Sequence, residues 1–380
     1  MVIEKVNYEQ RLRRLNKIIV NFENFKSENI LIFKDENIYY LTGFYGKNSG
    51  SSLLITNRRG YLFVNFIYYE EAKNSVCNQN IEIILLDNDK NEEIIDMLNQ
   101  KAIKDILIEA SSISCSNFLK LRVLLEKEKI KFGFIDYPLS ELRIVKDEYE
   151  LKIIRDCCRI TEKSFKDILK YNYKEITSKS ELELAHELEG YLIKNDAYGK
   201  SFDFIIANNE NSSKPHYCAS NTKIRNGVLL MDFGAYYKNY CSDITRTIFI
   251  GDILEHINFK KVFEIYEIVK EAQFLAESQC RPGMISSELD NAARSFIAKN
   301  GYGESFGHSL GHGVGLEVHE PPFINSKSNF VLREGMVITL EPGIYIEGLG
   351  GVRIEDMVEI TKDGYKNFYN LKKEKIFIVN

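Results

Sequence analysis

The chain has 380 residues, of which 44% are hydrophobic and 28% charged, a balance typical of a globular protein. This length exceeds the size at which one hydrophobic core stops growing, so we expect two domains. Fifty basic and fifty-five acidic residues give a net charge of -5, which provides no broad basic surface for nucleic acid and argues against that class of partner.

The first part of the chain alternates strand-like and helix-like segments. Short β-rich runs bounded by turn residues predict strands at 30–33, 52–56, 61–65, 81–86, 106–108 and 131–136. Apolar residues that recur every three or four positions predict helices at 10–22, 91–99 and 116–127. This alternation indicates an α/β domain with a mostly parallel or mixed sheet, which we place at residues 1–140.

The pattern changes after a connecting segment at 141–145. Helices are predicted at 147–170, 180–195, 259–278 and 286–299. Strands are predicted at 204–207, 227–233, 241–250, 336–341 and 351–360. Strands, then helices, then strands again indicate an α+β domain at residues 141–380.

The termini, the apolar runs and the cysteines bear on location. Residues 1–14 are charged and lack the apolar centre of a signal peptide. The longest apolar runs, such as 228–231, are far too short to cross a bilayer. Seven cysteines without a CxxC pair indicate neither a zinc knuckle nor a thioredoxin-type site. We therefore expect a reduced, cytoplasmic protein with no membrane partner.

Three of the six histidines, His308, His312 and His319, fall within twelve residues of a glycine-rich stretch. A lone histidine is more often a packed or surface residue than a ligand. Clustering favours function, because imidazole transfers protons near neutral pH and binds divalent metals. The spacing of His308 and His312 resembles that of a zincin helix, but Ser309 stands where that motif requires Glu. The stretch also lacks the Gly-Lys-Ser/Thr ending of a phosphate loop.

Four carboxylates each lie in or at the end of an otherwise apolar, strand-like segment: Asp232, Asp243, Glu341 and Glu355. For any one of them, a surface acid on a half-exposed strand is an adequate interpretation. A buried carboxylate, however, costs free energy unless it is paired or binds a metal. Asp243 follows Asp232 by eleven residues, which is consistent with a hairpin that brings the two together. Four such acids in the same half of the chain as the histidine cluster predict a shared metal site.

The donor set also indicates which metal and which reaction to expect. One histidine with four carboxylates is dominated by oxygen, which favours Mn²⁺ and permits Co²⁺, Fe²⁺ or Zn²⁺. Four carboxylates carry enough charge for two divalent ions, with some acids bridging them. Two such ions activate water against a polarised bond, so hydrolysis is the reaction that this set favours.

This half of the chain resembles the pita-bread metallopeptidases (methionine aminopeptidase, aminopeptidase P and prolidase) in its ligand order of Asp232, Asp243, His312, Glu341 and Glu355. Further segments match the proline-directed branch of that family, namely Pro215-His216-Tyr217, 231–234, 242–247, 311–322, 341–345 and 350–356. The segment 38–44 resembles the creatinase-type domain of the same branch. The resemblance implies an α/β creatinase-like N-terminal domain and an α+β pita-bread catalytic domain.

The resemblance also implies one role for each metal ligand. Asp232 would chelate one metal ion, while His312 and Glu341 would bind the other. Asp243 and Glu355 would bridge the two ions. Glu341 would in addition accept the proton of the attacking water and pass it to the leaving proline nitrogen.

Four further residues line the expected substrate site by the same resemblance. His319 and His216 match positions that contact the substrate and steady the tetrahedral intermediate. His308 resembles a further wall of the pocket, although a packing role is an equal interpretation. Arg353 resembles a partner of the acidic ligands. By spacing alone, Arg353 is as readily a surface charge.

These features predict a Xaa-Pro aminopeptidase, which hydrolyses the Xaa-Pro bond at the N-terminus of peptides. The alternative is a prolidase, which is confined to Xaa-Pro dipeptides. No large insertion separates the ligand motifs, which favours the aminopeptidase. A methionine aminopeptidase and a catalytically silent peptide-binding module are further alternatives, and the complete ligand set argues against the module. The resemblance also implies a homodimer with a proline-containing peptide as its substrate.

Overall fold

The computed structural model describes residues 6–57, 59–251 and 257–379. The chain forms two compact units, Met1–Arg143 and Ile144–Asn380. Within the described ranges, no helix has both the length and the apolar character that a membrane crossing requires.

The first unit is an α/β layer structure. Its elements are, in chain order, α1 (Tyr8–Val20), β1 (Asn29–Ile32), α2 (Asp35–Thr42), β2 (Ser52–Thr56), β3 (Arg59–Val64), α3 (Phe66–Ser75), β4 (Ile81–Leu85), α4 (Lys90–Gln100), β5 (Asp105–Glu109), α5 (Cys115–Lys127), β6 (Lys131–Ile135) and α6 (Tyr137–Ile144). The strand order is β4-β3-β2-β1-β5-β6. The pairs β1–β5, β5–β6 and β3–β4 are parallel, while β1–β2 and β2–β3 are antiparallel. The sheet is therefore mixed, as the sequence predicts.

The core of this unit lies between the sheet and the helices α4 and α5. Leu31, Phe63 and Ile106 from the sheet pack with Leu98 and Leu121 from the helices. A fully buried side chain of this kind contributes about 1.5–3 kcal/mol to folding.

Three helices of the first unit lack the sequence pattern on which the prediction depends. Five of the eight residues of α2 are buried, so it shows no clear polar face. In α3, Phe66 and Ile67 are exposed, which breaks the apolar periodicity. The helix α6 covers most of the predicted connecting segment at 141–145.

The second unit has α+β architecture. Its elements are α7 (Glu148–Ile168), α8 (Tyr173–Thr177), α9 (Glu181–Lys194), β7 (Gly199–Lys200), β8 (Ile205–Asn208), β9 (Gly227–Phe233), β10 (Ala235–Tyr237), β11 (Tyr240–Cys241), β12 (Ile244–Ile250), α10 (Ile257–Glu277), α11 (Ser286–Lys299), β13 (Gly311–Gly313), β14 (Glu320–Ile324), β15 (Val337–Leu340), β16 (Gly343–Ile346), β17 (Gly350–Arg353), β18 (Asp356–Thr361), β19 (Gly364–Asn367) and β20 (Phe377–Ile378). Two short 3₁₀ helices cover Asn209–Ser213 and Gly303–Ser305.

Two larger sheets organise this unit. One has the order β20-β12-β9-β8, and the other has the order β14-β13-β15-β18-β19. Smaller sheets join β11-β10-β7 and β16-β17. The strands β9 and β12 are buried along their whole length, so both faces of this antiparallel pair are covered. Residues of α10 and α11, such as Val269 and Ala293, pack with Ile338 of β15 and Val358 of β18 in one core.

Two predicted strands are each divided in the structure. The predicted strand 351–360 is two strands, because the chain leaves the pairing of β17 with β16 and joins β15 as β18. Glu355 lies at this change of partner. The predicted strand 241–250 is likewise interrupted at Asp243, between β11 and β12. The interruptions matter for function, because both positions are carboxylates predicted to bind metal.

Candidate metal centre and its pocket

The second unit contains a cavity of about 440 Å³. All nine site residues named from the sequence line it: His216, Asp232, Asp243, His308, His312, His319, Glu341, Arg353 and Glu355. The other lining residues are Phe202, Asp203, Ile205, Pro215, Tyr217, Cys218, Ser309, Gly311 and Phe323. The structure thus brings together side chains that are up to 139 positions apart in the chain, from 216 to 355.

The pairing of β9 with β12 places the two aspartates. Asp232 lies directly opposite Thr245 in this antiparallel ladder. Asp243 precedes β12 by one residue and therefore lies on the same side of the sheet, two positions from Thr245. The backbone oxygen of Asp243 accepts a hydrogen bond from the Tyr369 hydroxyl at 2.7 Å, which fixes this turn of the chain.

His312 is the central residue of β13, between two glycines. A Cβ atom at Gly311 would overlap the carbonyl oxygen of Thr339, and one at Gly313 would overlap that of Pro321. The glycine-rich stretch is therefore a strand that neighbouring backbones approach closely, rather than a helix. The Nδ1 atom of His312 lies 3.1 Å from the carbonyl oxygen of Gly313. If Nδ1 donates to that oxygen, Nε2 is left unprotonated and able to bind a metal.

The two glutamates lie next to the ends of strands in the second large sheet. Glu341 follows β15, and its backbone N–H donates to the carbonyl oxygen of Leu310 at 2.8 Å. Its Oε1 atom lies 3.3 Å from Nε2 of His312. Glu355 accepts a hydrogen bond on Oε2 from the Thr245 hydroxyl at 2.7 Å.

The donor geometry fits divalent metal ions. Asp243, His312 and Glu355 each offer a donor atom, and these atoms all lie within 4.8 Å of one another. Oδ1 of Asp232 and Oε1 of Glu355 are buried and have no hydrogen-bond partner on the protein. Unpartnered buried carboxylate oxygens are costly, and a bound cation would relieve that cost.

The pKa shifts of the clustered carboxylates also indicate a cation site. Burial and the neighbouring carboxylates raise the pKa of Asp243 and of Glu355 well above their ordinary values. Burial also raises the pKa of Asp232, although Arg353 opposes this shift. These carboxylates therefore bind protons more readily than usual, and a bound cation would neutralise the same negative charge.

His312 and Glu341 shift each other's titration. Burial alone would raise the pKa of Glu341, but the hydrogen bond and charge of His312 outweigh it and leave that pKa below its ordinary value. Burial alone would lower the pKa of His312, and its bond to Glu341 raises it above the ordinary value. Glu341 is thus ionised at neutral pH, as a general base must be.

A hydrogen-bonded chain links the wall of the pocket to Asp232, one of the predicted metal ligands. Nε2 of His308 lies 2.9 Å from the hydroxyl of Tyr345. The Nη1 atom of Arg353 donates to the same hydroxyl at 2.7 Å, and its Nη2 atom donates to Oδ2 of Asp232 at 2.5 Å. The Nε atom of Arg353 donates to the hydroxyl of Thr245 at 3.0 Å. Arg353 is buried, so it is not the surface charge that spacing alone allows.

The remaining two histidines lie at the open side of the pocket. His319 is exposed, and its ring centroid lies 4.4 Å from that of His312. Burial and the nearby His312 lower the pKa of His319, so it is neutral at pH 7. His216 is also exposed, on a segment with no regular secondary structure.

Two residues with evident roles in this geometry are missing from the sequence prediction. Tyr345 joins His308 to Arg353, and burial raises its pKa to about 12, so the hydroxyl keeps its proton. Thr245 bonds both Glu355 and Arg353. Tyr345 could have been noticed because it ends the segment Glu341-Pro-Gly-Ile-Tyr. Thr245 likewise lies in a matching segment, 242–247, but threonine is common in strands, so the residue type alone does not reveal its contacts.

Comparison with known protein families identifies both parts of the chain. Residues 152–362 match metallopeptidase family M24, and residues 14–145 match the creatinase/prolidase N-terminal domain.

Individual relatives match the chain along nearly its whole length. A Xaa-Pro dipeptidase of Pyrococcus horikoshii is 41% identical over 366 residues, which cover 96% of this chain and 98% of that protein. Among solved structures, a Xaa-Pro dipeptidase from Bacillus anthracis superposes with a TM-score of 0.89 at 33% identity, covering 98% of this chain and all of that one. An X-Pro aminopeptidase from Thermotoga maritima has a TM-score of 0.85 at 34% identity, covering 97% of this chain and all of that one.

Proposed function

This chain belongs to metallopeptidase family M24, and from that premise we propose that it hydrolyses the Xaa-Pro bond of proline-containing dipeptides. It combines a creatinase-type N-terminal domain with a pita-bread catalytic domain, the fold that its sequence predicts. It is a metal-dependent peptidase that binds divalent ions. The observation that carries the proposal is the convergence of five metal donors on one pocket whose open side holds His216 and His319.

We assign the donors as follows. Asp232 would chelate one ion, His312 and Glu341 would bind the other, and Asp243 and Glu355 would be shared by both. The oxygen-dominated set favours Mn²⁺, with Co²⁺, Fe²⁺ or Zn²⁺ as substitutes. When bound, such a pair of ions supplies Lewis acidity and lowers the pKa of water at the site.

Each of the surrounding side chains then has its own role in hydrolysis. Glu341 accepts a proton from the water that attacks the scissile carbonyl carbon, and later gives this proton to the proline nitrogen as the C–N bond breaks. His319, which is neutral at pH 7, donates a hydrogen bond to the oxygen of the tetrahedral intermediate. His216 also contacts the substrate, from the same open side of the pocket as His319. His308 closes the pocket, and Arg353 holds Asp232 in its binding orientation.

The dipeptidase is the alternative of the sequence-based hypothesis, and the names of the relatives favour it over the aminopeptidase. One observation supports the aminopeptidase as a second candidate. Among the lining residues that the structure describes, Arg353 is the sole Lys or Arg, and its guanidinium is bound to Asp232 and Tyr345. The terminal carboxylate of a dipeptide would then depend on histidines for its counter-charge, whereas a longer peptide carries no charge there.

The substrate class is tested by measuring hydrolysis of Ala-Pro, Ala-Pro-Ala and Met-Ala by the Mn²⁺-loaded protein. Rapid cleavage of Ala-Pro with little cleavage of Ala-Pro-Ala supports the dipeptidase. Equal or faster cleavage of Ala-Pro-Ala before proline supports the aminopeptidase. Release of Met from Met-Ala with indifference to proline would contradict both and indicate a methionine aminopeptidase.

We propose in addition that the protein is a cytoplasmic homodimer, as the family resemblance implies. Light scattering coupled to size-exclusion chromatography measures this directly. A mass near twice 44.0 kDa supports the dimer, and a mass near 44.0 kDa contradicts it.

A further inference from the structure

The segment that carries His216 is not held by a helix or a sheet. Between the 3₁₀ helix Asn209–Ser213 and β9, which begins at Gly227, residues 214–226 form turns and irregular structure with a single isolated bridge, Ser180↔Lys223. Most of these residues are partly or fully exposed. Regular backbone pairing therefore does little to fix the position of His216, and much of the restraint comes from side-chain contacts. Tyr217 packs against a small apolar cluster, and side-chain hydrogen bonds act beside this packing.

Glu181, the first residue of α9, supplies such a restraint. Its side chain is buried, and both carboxylate oxygens accept hydrogen bonds from the chain on either side of His216. On the N-terminal side, Oε1 accepts from the backbone N–H of Asn208 at 2.8 Å and from the Asn211 amide at 3.0 Å. On the C-terminal side, Oε2 accepts from the hydroxyls of Tyr217 at 2.7 Å and Ser220 at 3.1 Å.

The backbone at the start of α9 adds to this restraint. The N–H of Glu181 donates to the carbonyl oxygen of Thr222, and the N–H of Leu182 donates to that of Ser220. One buried carboxylate and one helix terminus therefore hold the chain from 217 to 222, immediately after His216.

Glu181 is not needed as a cap of its own helix. Ser180 is the N-cap of α9 and forms a capping box with Glu183, whose side chain accepts from the N–H of Ser180. The carboxylate of Glu181 accepts bonds outside this box, from the end of β8 to Ser220. Among the described residues it forms no ion pair with a lysine or arginine, so its burial would be costly if the four donors were not present.

We propose that Glu181 is a positioning residue for substrate binding, which holds His216 and Tyr217 at the rim of the pocket. The inference rests on the proposed function, because it assigns His216 a contact with the substrate. Glu181 is remote in sequence from the proposed metal donors, and its four acceptor bonds all go to other residues, so its loss leaves metal binding intact. The loosened rim then weakens substrate binding more than it slows the chemical step.

The test compares three variants with the wild-type protein. Glu181→Ala removes all four acceptor bonds, and Glu181→Gln retains the shape and the oxygen that faces Asn208. Glu175→Ala is the control, because Glu175 also accepts a backbone N–H at the start of a helix, from Asn172, and its described hydrogen bonds do not reach residues 214–222. Each protein is loaded with Mn²⁺, and its metal content, its KM and kcat for Ala-Pro, and the hydrogen exchange of residues 214–222 are measured.

We expect Glu181→Ala to raise KM about tenfold or more, with kcat changed less than about threefold and full metal content. Hydrogen exchange of 214–222 should become faster in this variant and return toward the wild-type rate in Glu181→Gln. Glu175→Ala should resemble the wild type in all three measurements.

Two results would overturn the inference. One is unchanged exchange and unchanged KM in Glu181→Ala, and the other is a loss of metal or a fall in kcat alone, which would indicate a different role. A wild-type protein that cleaves no Xaa-Pro substrate would refute the proposed function instead. In that case faster exchange in Glu181→Ala would still support the anchoring of the segment, and unchanged exchange would still refute it.

Discussion

Thr245 should control metal affinity although it binds no metal in our assignment. Its hydroxyl donates to Oε2 of Glu355 at 2.7 Å and accepts from Nε of Arg353 at 3.0 Å, and the residue is fully buried. Thr245→Val keeps the shape of the side chain and removes both bonds. A hydrogen bond to a charged group contributes about 1.5–3 kcal/mol, and loss of such an outer partner typically lowers metal affinity by about 10–100-fold. We therefore expect Thr245→Val to lower the affinity for Mn²⁺ by at least about tenfold.

Thr247→Val is the matched control for this variant. Thr247 lies two positions further along β12 and is equally buried, but its hydroxyl bonds only the backbone of Arg353. Both variants should lower the melting temperature, whereas only Thr245→Val should weaken Mn²⁺ binding strongly. Calorimetric titration of metal-stripped protein with Mn²⁺ measures the difference. Equal affinities in the two variants would refute the reasoning that the side-chain bond to Glu355 orients a ligand.

Three more predictions follow from other contacts. The raised pKa values of Asp243 and Glu355 stabilise the metal-free fold at acid pH, and this contribution is lost as the pH rises through those values. Bound Mn²⁺ should therefore raise the melting temperature more at pH 8 than at pH 5.5, and an equal rise at both would contradict the shifts. Lys146→Met should cost about 3–5 kcal/mol in denaturant unfolding, because it removes the ammonium that lies 2.9 Å from the buried carboxylate of Glu320. Adding Glu320→Gln should recover part of that loss, and no recovery would show that the charge is not the cause. Tyr345→Phe should lower kcat/KM about tenfold or more in steady-state assays while retaining metal, since it disconnects His308 from Arg353; unchanged kinetics would argue that this link is dispensable.

The long elements could be predicted from the sequence because their local signals agree with their packing. The helix α7 begins where Asp147 and Glu150 form a capping box, and its buried residues recur at helical spacing. The strand β9 is an uninterrupted apolar run apart from Asp232. Such segments carry both propensity and periodicity, and tertiary contacts reinforce rather than override them.

Other elements could not be predicted because only tertiary contacts define them. The strand β13 has the sequence Gly-His-Gly, which carries no strand propensity, and it exists because neighbouring backbones approach the glycines. The division at Glu355 depends on a change of pairing partner that periodicity does not reveal. The predicted domain division at residue 140 stays a prediction, as do the individual roles of the nine site residues.

The candidate site could be predicted from the sequence because its donor residues stand in informative settings. Three histidines in one stretch and single acids in apolar strands are visible without coordinates. Thr245 and Tyr345 lie in segments that match the family pattern, but their roles become evident only through the atoms that they contact. The role of Glu181 is likewise not visible in the sequence. Many glutamates lie near helix starts, and nothing in the sequence indicates that this one bonds the segment that carries His216.

The central claim is that Glu341 acts as the proton-transferring group in a metal-dependent cleavage before proline. The most direct measurement is Ala-Pro hydrolysis by metal-stripped protein, before and after addition of Mn²⁺, alongside Glu341→Gln and the exposed control Glu347→Gln. We predict no cleavage without metal, recovery with Mn²⁺ in the wild type and in Glu347→Gln, and a loss of at least about 100-fold in Glu341→Gln. Cleavage by the stripped protein at the full rate, or near-normal activity of Glu341→Gln, would contradict the account.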